Sequence, residues 1–590
     1  MLHIFFNASM GGNSFFRSFF LLQPLNTVDT IESRYVEHLA LSTSSFQTLA
    51  LARKWIDDCK ANHRQCNNST EGNRRWCPTR LLDCGRLDDS TPRIRLIEPK
   101  DSSFHPEYMT LSHCWGVPSS LQLTTENYTR LADGVTLDEL PKLYQDTIHV
   151  VRKLQIQHLW IDSLCILQQG DDGVDLKQEL TRMSEIYSNS SCNISAADAT
   201  DASQSLFRSK SPKMLFPDVV YLSIKDQSTP FLVSDLRFWE KDVSSSLINK
   251  RAWVLQERLL APRVLHFGAQ QLFWECCTKD AAEIYPDGLP TTFSLRGRFK
   301  NLSPNGLVGV EKILTKVPAY NVWAKIIQAY APCDLTFSKD KLTALSAIAS
   351  RMKLILDDEY VAGMWRRYLE RELLWVKSFN RPLLTHAKSS SYTYRAPSWS
   401  WAAVDGEIIP GYLDLNLEDS EILINVEDIR LQYASDNRIS DICGGWLKLR
   451  GVLKQLSLKP HVSCSSDHVD DWTMYMNGIQ VSVSAESLGE EGSQPHIYLD
   501  RLRPPGFHNQ DIKRTLYCMP ARVRPGPEGS IYMLLLRLCD ESKGIFRRIG
   551  VARGWGTEVK EKALGSGIHT GEEKFPCEKY ENGQHTIVIV

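Results

Sequence analysis

Side chains capable of chemistry gather at the ends of two apolar stretches, residues 108–116 and 158–168. Each stretch is too short for a free-standing helix and does not alternate between apolar and polar residues, which is typical of a buried parallel strand. Ligands bind at the carboxyl ends of the strands in open α/β sheets. We therefore expect one crevice to be lined by Ser112, His113, Cys114, Trp115 and Gly116, together with Asp162, Ser163, Cys165 and Gln168.

The carboxylate of Glu179 should lie close to that crevice. Residues 175–189 have a helical pattern, and at about 100° per residue one stripe of this helix faces the sheet. The stripe consists of Leu176, Leu180, Met183 and Tyr187. Glu179 lies about 70° from the centre of the stripe, whereas Glu185 lies nearly opposite and should be in solvent. The alternative role for Glu179 is that of a flanking residue paired with Arg182 or Lys153.

Structural roles are the favoured interpretation for the other reactive side chains. An ionised Asp162 inside a buried strand is costly unless it is paired or accepts hydrogen bonds, so we expect it to bond to Arg251, Arg258 or local backbone amides. Cys114 and Cys165 would be nucleophiles beside a histidine, but apolar surroundings raise the pKa of a thiol and suppress its reactivity. The chain also lacks the Gly-x4-Gly-Lys-Ser/Thr motif of a P-loop.

The elements that position these residues follow the order of an α/β sheet. Strands are predicted at 108–114, 158–166 and 191–197, with the helix at 175–189 between the last two. Crossover connections of this kind join parallel strands of one sheet. We therefore predict that the three strands are parallel neighbours and that the helix packs across them.

The remaining sequence predicts three further regions. Residues 1–100 are expected to form a helical N-terminal cap around an amphipathic helix at 45–66, before a core domain at 105–285. The stretch at 285–306 is rich in Gly, Pro and Asn and marks a boundary. Beyond it, the pattern predicts a helical region at 307–405 and a mostly β region at 406–590.

Two patterns resemble zinc sites but are incomplete. Cys59, His63 and Cys66 have a spacing that could begin a site. The next cysteine, Cys77, lies well downstream beside a proline and completes no paired spacing. Packing at a helix end is the favoured interpretation, so no metal site is predicted. Residues 569–577 imitate a zinc-finger linker, yet no Cys-x2-Cys pair precedes them at finger spacing, and nucleic-acid binding is not expected.

Bulk composition fits a globular protein of the cytoplasm. The net charge is −2 and the pI about 6.7, so no strong field attracts nucleic acid or an anionic membrane. Fifteen cysteines in 590 residues are too dilute for a disulfide scaffold and suit a reducing compartment. No stretch approaches the ~20 apolar residues of a membrane span. Polar residues interrupt the aromatic N-terminal stretch, which disfavours a signal peptide.

Three blocks, at 108–116, 159–168 and 251–263, resemble those of the fungal heterokaryon-incompatibility (HET) domain in order and spacing. In that family the blocks run roughly as LSYCWG, LWIDALCINQ and RGWTLQERLLSPR. This chain departs from them with His113 in place of the usual Tyr and Leu167 in place of the usual Asn. A ligand contact made by that Asn in relatives would be missing here.

The resemblance implies a role in non-self recognition that leads to growth arrest or programmed cell death. HET domains have been likened to TIR domains, whose flavodoxin-like α/β fold includes members that cleave NAD with one glutamate. By that analogy Glu179 would be the catalytic residue, NAD the substrate, and Trp115 a ring that stacks on it. The alternative is a non-catalytic module that assembles with itself or with other incompatibility or signalling proteins.

Overall fold

The computed structural model describes residues 2–10, 14–24, 40–67, 76–86, 93–99, 105–116, 121–211, 215, 218–224, 227–290, 293, 298–303, 317–378, 394–411, 421–434, 438–440, 442–460, 472–481, 496–500, 516–524, 529–565 and 575–590. The chain divides into two compact units, Met1–Val310 and Glu311–Val590. The division falls just after the boundary expected at 285–306.

The first unit contains an eight-stranded sheet and a four-stranded sheet. Its strands are β1 Leu2–Met10, β2 Ser14–Pro24, β3 Leu81–Asp83, β4 Arg95–Ile97, β5 Tyr108–Ser112, β6 His158–Ile161, β7 Asn193–Ser195, β8 Asp218–Ile224, β9 Gln227–Asp235, β10 Arg263–Phe267, β11 Leu272–Cys276 and β12 Asp280–Ala282. Its α-helices are Phe46–Asn62, Tyr128–Asp133, Lys142–Lys153, Asp162–Cys165, Val174–Thr181, Met183–Ser188 and Ala252–Leu260.

The eight-stranded sheet has the order β12-β11-β10-β7-β5-β6-β3-β4. Its four central strands, β10, β7, β5 and β6, are parallel, and the outer strands are antiparallel to their neighbours. The prediction of three parallel neighbours is confirmed, with β5 between β6 and β7. All residues of β5, β6 and β7 are buried, as their continuous apolar runs predict.

Strand β6 is shorter than predicted. It ends at Ile161, and Asp162–Cys165 forms one helical turn. The Ile166 amide donates to the Asp162 carbonyl at 3.1 Å and closes that turn. Periodicity cannot separate a buried strand from a buried helical turn, because both consist of apolar residues. Asp162 therefore lies just beyond the carboxyl end of β6 and not within a strand.

The helix predicted at 175–189 is present in two pieces, Val174–Thr181 and Met183–Ser188, with a break at Arg182. The second piece packs on the sheet. The Tyr108 hydroxyl donates to the Ile186 carbonyl at 2.6 Å, and the Tyr187 ring meets the Trp160 ring edge-on at 5.7 Å between centroids. Glu185 is exposed, as predicted.

Residues 1–100 contribute strands as well as a helix. The helix Phe46–Asn62 agrees with the amphipathic pattern, with Leu49, Ala52, Trp55, Ile56 and Cys59 among its buried residues. Strands β3 and β4 extend the eight-stranded sheet, and β1 and β2 join β9 and β8 in the four-stranded sheet. The region thus differs from the purely helical cap that the sequence suggests.

In the second unit, most of the α-helices precede most of the strands. Its α-helices are Val317–Tyr330, Ser346–Leu356, Leu369–Glu372 and Thr557–Leu564. Within the region expected to be helical, the short paired strands Tyr360–Val361 and Met364–Trp365 come before one helical turn at Leu369–Glu372. Further strands are Val376–Lys377, Ile408–Ile409, Asn425–Tyr433, Ile442–Gly451, Lys454–Pro460, Trp472–Met476, Ile479–Gln480, His496–Leu499, Leu516–Val523, Ser530–Asp540, Ile545–Trp555, Lys579–Glu581 and Gln584–Ile589.

Most of these later strands form one eleven-stranded sheet. Buried side chains on its strands form one hydrophobic cluster, which includes Leu456, Met474, Met533 and Leu535. In the part of the chain that the structure describes, every helix is too short or too polar to cross a membrane.

Candidate functional site

The order of the parallel strands reverses at β5 and β7, so the expected crevice falls at the carboxyl ends of these two strands. The chain passes from β5 to β6 on one side and then returns to β7 on the other side of β5. Such a reversal of strand order is where open α/β sheets bind ligands. Ser112 and Ser195 face each other in register at this point. The hydroxyl of Ser195 is buried without a hydrogen-bond partner among the described residues.

A chain of hydrogen bonds leads from the sheet to a buried carboxyl group, that of Glu257. The Thr110 hydroxyl donates to Asn193 Oδ1 at 2.9 Å, and Asn193 Nδ2 donates to the Ser112 hydroxyl at 2.9 Å. Ser112 in turn donates to Glu257 Oε2. Each side chain in this series orients the next, so Glu257 is held beside Ser112 at the carboxyl end of β5.

Burial raises the pKa of Glu257 to about 7. The nearby carboxylate of Asp162 raises it further, while the hydroxyl of Ser112, the guanidinium of Arg251 and the hydroxyl of Tyr187 oppose the rise. Near neutral pH this group therefore exists in both its acid and its carboxylate forms. A group with that property can donate or accept a proton during a reaction.

Glu257 was not among the sequence-derived candidates, although the sequence held a signal. The helix Ala252–Leu260 is apolar apart from Gln256, Glu257 and Arg258, and all three polar residues are buried. A helix that is apolar on all sides must lie in the core. Polar residues within it then need specific partners. Arg258 bonds to Glu275 at 2.7 and 2.9 Å, and Glu257 bonds to Ser112.

Asp162 is bonded locally and not to an arginine. Its carboxylate accepts from the Ser163 amide at 2.7 Å and from the Trp115 indole at 2.8 Å. The expected partner Arg251 donates to the His113 carbonyl at 2.7 Å instead, and Arg258 is taken by Glu275. The side chain of Asp162 is 28% exposed, because β6 ends before it. The arginine pairing was wrong, whereas the backbone amide, also expected as a partner, is present.

His113 is held as a neutral ring. Its Nε2 lies 2.9 Å from the Tyr144 hydroxyl, which lies 2.8 Å from the Ser163 hydroxyl. Burial lowers the pKa of His113, and the Asp162 carboxylate, 3.8 Å from Nδ1, only partly opposes this effect. This network joins the end of β5 to the turn after β6.

Burial raises the pKa of both cysteines at the ends of β5 and β6, as expected for thiols in apolar surroundings. Burial raises the pKa of Cys165 to about 12, and it also raises that of Cys114. Cys165 is fully buried, so the contact to a ligand predicted for its side chain is not available at the surface. Gln168 donates to the carbonyls of Asp162 and Ile166 at 3.1 and 3.0 Å and so braces the turn after β6.

Trp115 and Gly116 follow β5 at its carboxyl end. The Trp115 side chain is half-buried, with its indole N–H held by Asp162. Gly116 has a φ of +76°, and a Cβ atom there would lie 2.3 Å from the Cβ of Asp201. Only glycine fits that conformation and that approach.

Glu179 is buried, with 2% of its surface exposed. Its Oε1 accepts from the Thr79 hydroxyl at 2.6 Å and lies 3.4 Å from the Arg182 guanidinium. Thr79 precedes β3, which runs antiparallel to β6, so this contact lies at the edge where β6 ends. The pairing with Arg182 matches the flanking role, but Oε2 is buried without a hydrogen-bond partner among the described residues.

A second group of polar side chains lies outside the crevice. Ligand atoms of Cys59, His63, Cys66 and Cys276 all lie within 4.8 Å of one another. The first three are the residues whose spacing suggested the start of a zinc site. The fourth comes from β11 and not from Cys77, which is why spacing alone could not find it.

Comparison with known families identifies the domain that contains the crevice. Residues 108–257 match the model of the family described as Heterokaryon incompatibility protein (HET). The chain thus carries a HET domain, which supports a role related to heterokaryon incompatibility. The matched segment runs from the start of β5 to Glu257. No curated protein and no solved structure matches the chain.

Proposed function

We propose that this HET-domain protein is a fungal incompatibility factor that acts in the cytoplasm. After non-self recognition, its HET domain triggers growth arrest or programmed cell death by cleaving NAD at the crevice between β5 and β7. The match over residues 108–257 supports the incompatibility role.

The order of the parallel strands supports a TIR-like core. Numbered along the chain, β5, β6, β7 and β10 have the spatial order 2-1-3-4. This order agrees with the first four strands of the flavodoxin-like arrangement, which TIR domains share. A fold does not determine a reaction, so NAD cleavage depends on the side chains at the carboxyl ends of the strands.

The observation that carries the proposal is the buried carboxyl group of Glu257, whose pKa burial raises to about 7. Cleavage of the bond between the ribose and nicotinamide passes through a cation similar to an oxocarbenium ion, which a nearby carboxylate stabilises. Nicotinamide leaves with the bonding electron pair. A water molecule then attacks the ribose carbon and gives a proton to a carboxylate, which yields ADP-ribose.

The surrounding side chains suit this chemistry. Asp162 supplies a second carboxylate at the end of the neighbouring strand, and its 28% exposure makes it accessible to a substrate. Glu257 stays protonated more readily beside it, as two nearby carboxyl groups disfavour simultaneous ionisation. Trp115 at the rim offers a ring face for stacking. Glu179, with one unbonded buried oxygen, is the second candidate for the catalytic carboxylate.

The proposal is tested with the purified full-length chain and three substitutions, E257Q, E179Q and the control E185Q. Wild-type protein should convert NAD to nicotinamide and ADP-ribose, measured by chromatography. E257Q should reduce turnover by about 10²-fold or more, the usual contribution of a general acid or base. Glu185 is exposed, so E185Q should match the wild type. Loss of turnover in E179Q alone would move the catalytic role to Glu179.

The same variants distinguish catalysis from assembly. Expressed in a fungal host, E257Q should abolish growth arrest together with NAD consumption. If wild-type protein never consumes NAD, even when concentrated or clustered, and all three variants still arrest growth, the protein acts as a non-catalytic module. It would then signal by assembling with itself or with other incompatibility or signalling proteins.

A further inference from the structure

Three cysteines and one histidine converge at the end of β11, which β10, β7 and β5 separate from β6 in the sheet. Cys59, His63 and Cys66 come from the end of the helix Phe46–Asn62 and the turn after it. Cys276 is the last residue of β11, 213 positions from His63 in the chain. Their four ligand atoms lie within 4.8 Å of one another.

The local fold explains how the N-terminal three residues meet. Cys59 and His63 are four positions apart, so they lie on the same side of the helix end. The His63 amide donates to the Cys59 carbonyl at 3.0 Å, and the Cys66 amide donates to the His63 carbonyl at 3.0 Å. The turn Arg64–Cys66 thus brings the third side chain back toward the first two.

The distances fit a tetrahedral metal centre. Zinc–sulfur bonds of about 2.3 Å place two sulfur ligands about 3.8 Å apart in a tetrahedron, and a sulfur and a nitrogen ligand slightly closer. His63 Nδ1 and Cys276 Sγ are 3.4 Å apart. A set of three cysteines and one histidine is a common ligand set of structural zinc sites.

Neighbouring donors are aimed at the sulfur atoms. Arg263 Nε donates to Cys59 Sγ at 3.2 Å, and the Lys279 amide donates to Cys276 Sγ at 3.3 Å. Three thiolates around Zn²⁺ leave a net charge of −1, which the guanidinium of Arg263 offsets. Hydrogen bonds to ligand atoms of this kind are the outer shell that orients metal ligands. A group of thiols packed only as small apolar side chains would not require such donors.

We propose that Cys59, His63, Cys66 and Cys276 bind one structural Zn²⁺ ion that fastens the helix Phe46–Asn62 to β11 of the HET-domain sheet. All four coordination positions are supplied by the protein, so the ion has no open position for a substrate. Its role is to link two segments far apart in sequence, which it stabilises because the site does not exist in the unfolded chain.

The test begins with the metal content of the wild-type protein. Full-length chain purified under reducing conditions without chelators should contain one zinc per chain by mass spectrometry of the metal. X-ray absorption should give three sulfur ligands at about 2.3 Å and one nitrogen ligand at about 2.0 Å. Cobalt(II) replacing zinc should show the strong visible bands of tetrahedral thiolate coordination. These measurements need no variant.

Substitutions then assign the ligands. C276S and H63A should lose most of the bound zinc and unfold at a lower temperature. The matched control is C84S, because Cys84 is a fully buried free cysteine of the same unit that lies outside the cluster. C84S should keep its zinc. C277S, which changes the adjacent buried cysteine, should keep it as well.

Three results would overturn the proposal. The first is wild-type protein that holds no zinc and takes up none when the ion is supplied. The second is a disulfide between cysteines of the cluster in protein from a reducing cytosol, detected by peptide mass spectrometry. The third is loss of zinc in C277S with retention in C276S, which would show that the ligands were assigned wrongly. None of these outcomes depends on NAD cleavage.

Discussion

Glu179 and Glu257 are buried carboxyl groups of one domain with opposite surroundings. They are 2% and 6% exposed, so burial does not distinguish them. Glu179 accepts from a threonine hydroxyl and lies 3.4 Å from the cation of Arg182. Glu257 accepts from the hydroxyls of Ser112 and Tyr187, and its pKa is raised first by burial and then by the carboxylate of Asp162. Two equally buried carboxyl groups thus differ in the charge beside them, a cation for Glu179 and a carboxylate for Glu257.

The largest expected effect is a pH-dependent gain of stability in E257Q. Because the pKa of Glu257 in the folded protein, about 7, is above its ordinary value of 4.5, its favourable contribution is complete below about pH 4.5. It is lost as the pH rises through 7, for a total of about 3 kcal/mol. E257Q should therefore resemble the wild type at pH 4.5 and be more stable by about 3 kcal/mol at pH 8.

Urea denaturation of both proteins across that pH range checks this prediction. Parallel stability curves for E257Q and the wild type would mean that Glu257 keeps an ordinary pKa in the folded protein.

E179Q should change stability in the opposite direction. The substitution removes the negative charge to which Arg182 and Thr79 are bonded. It also buries an amide NH2 group at a site where Oε2 has no hydrogen-bond partner among the described residues. The free energy of unfolding should fall by about 1–2 kcal/mol. The angle of Glu179 alone, about 70° from the centre of the stripe, suggested that this change would affect folding little. Denaturation of E179Q and the wild type at neutral pH measures this loss, and a gain in stability would contradict the observed pairing.

Asp162→Ala should cost about 1 kcal/mol, less than the several kcal/mol expected for a buried ion pair. The substitution removes bonds from the Ser163 amide and the Trp115 indole, and water can replace part of them at a side chain that is 28% exposed. A measured loss of 3 kcal/mol or more, on the order of a broken buried pair, would show that Asp162 has a charged partner in solution.

The smallest effect is expected for E185Q, within about 0.5 kcal/mol of the wild type at any pH. Glu185 is exposed on the helix that follows Glu179. It therefore controls for the loss of one negative charge from this part of the surface. If E185Q reproduced the effect of either buried substitution, that effect would reflect net charge and not local bonding.

Much of the central domain could be predicted from local pattern. The continuous apolar runs at β5, β6 and β7 predicted buried parallel strands. The helical stripe correctly placed Met183 and Tyr187 inward and Glu185 outward, whereas Leu176 and Leu180 are only half-buried. The alternation of strand and helix predicted which strands are neighbours. These features follow from the sequence because each depends on residues a few positions apart, which repeat with the period of the element.

Tertiary packing decided which distant side chains became partners. Arg258 is bonded to Glu275 and not to Asp162, and Ser112 donates to Glu257. Thr79 donates to Glu179 from the segment before β3. Cys276 completed the cysteine and histidine cluster from a strand more than two hundred positions away. Periodicity states which face of an element is hidden, but it does not state which other element covers that face. The roles of Glu257 and Cys276 depend on which element covers them, so only the tertiary structure could identify them.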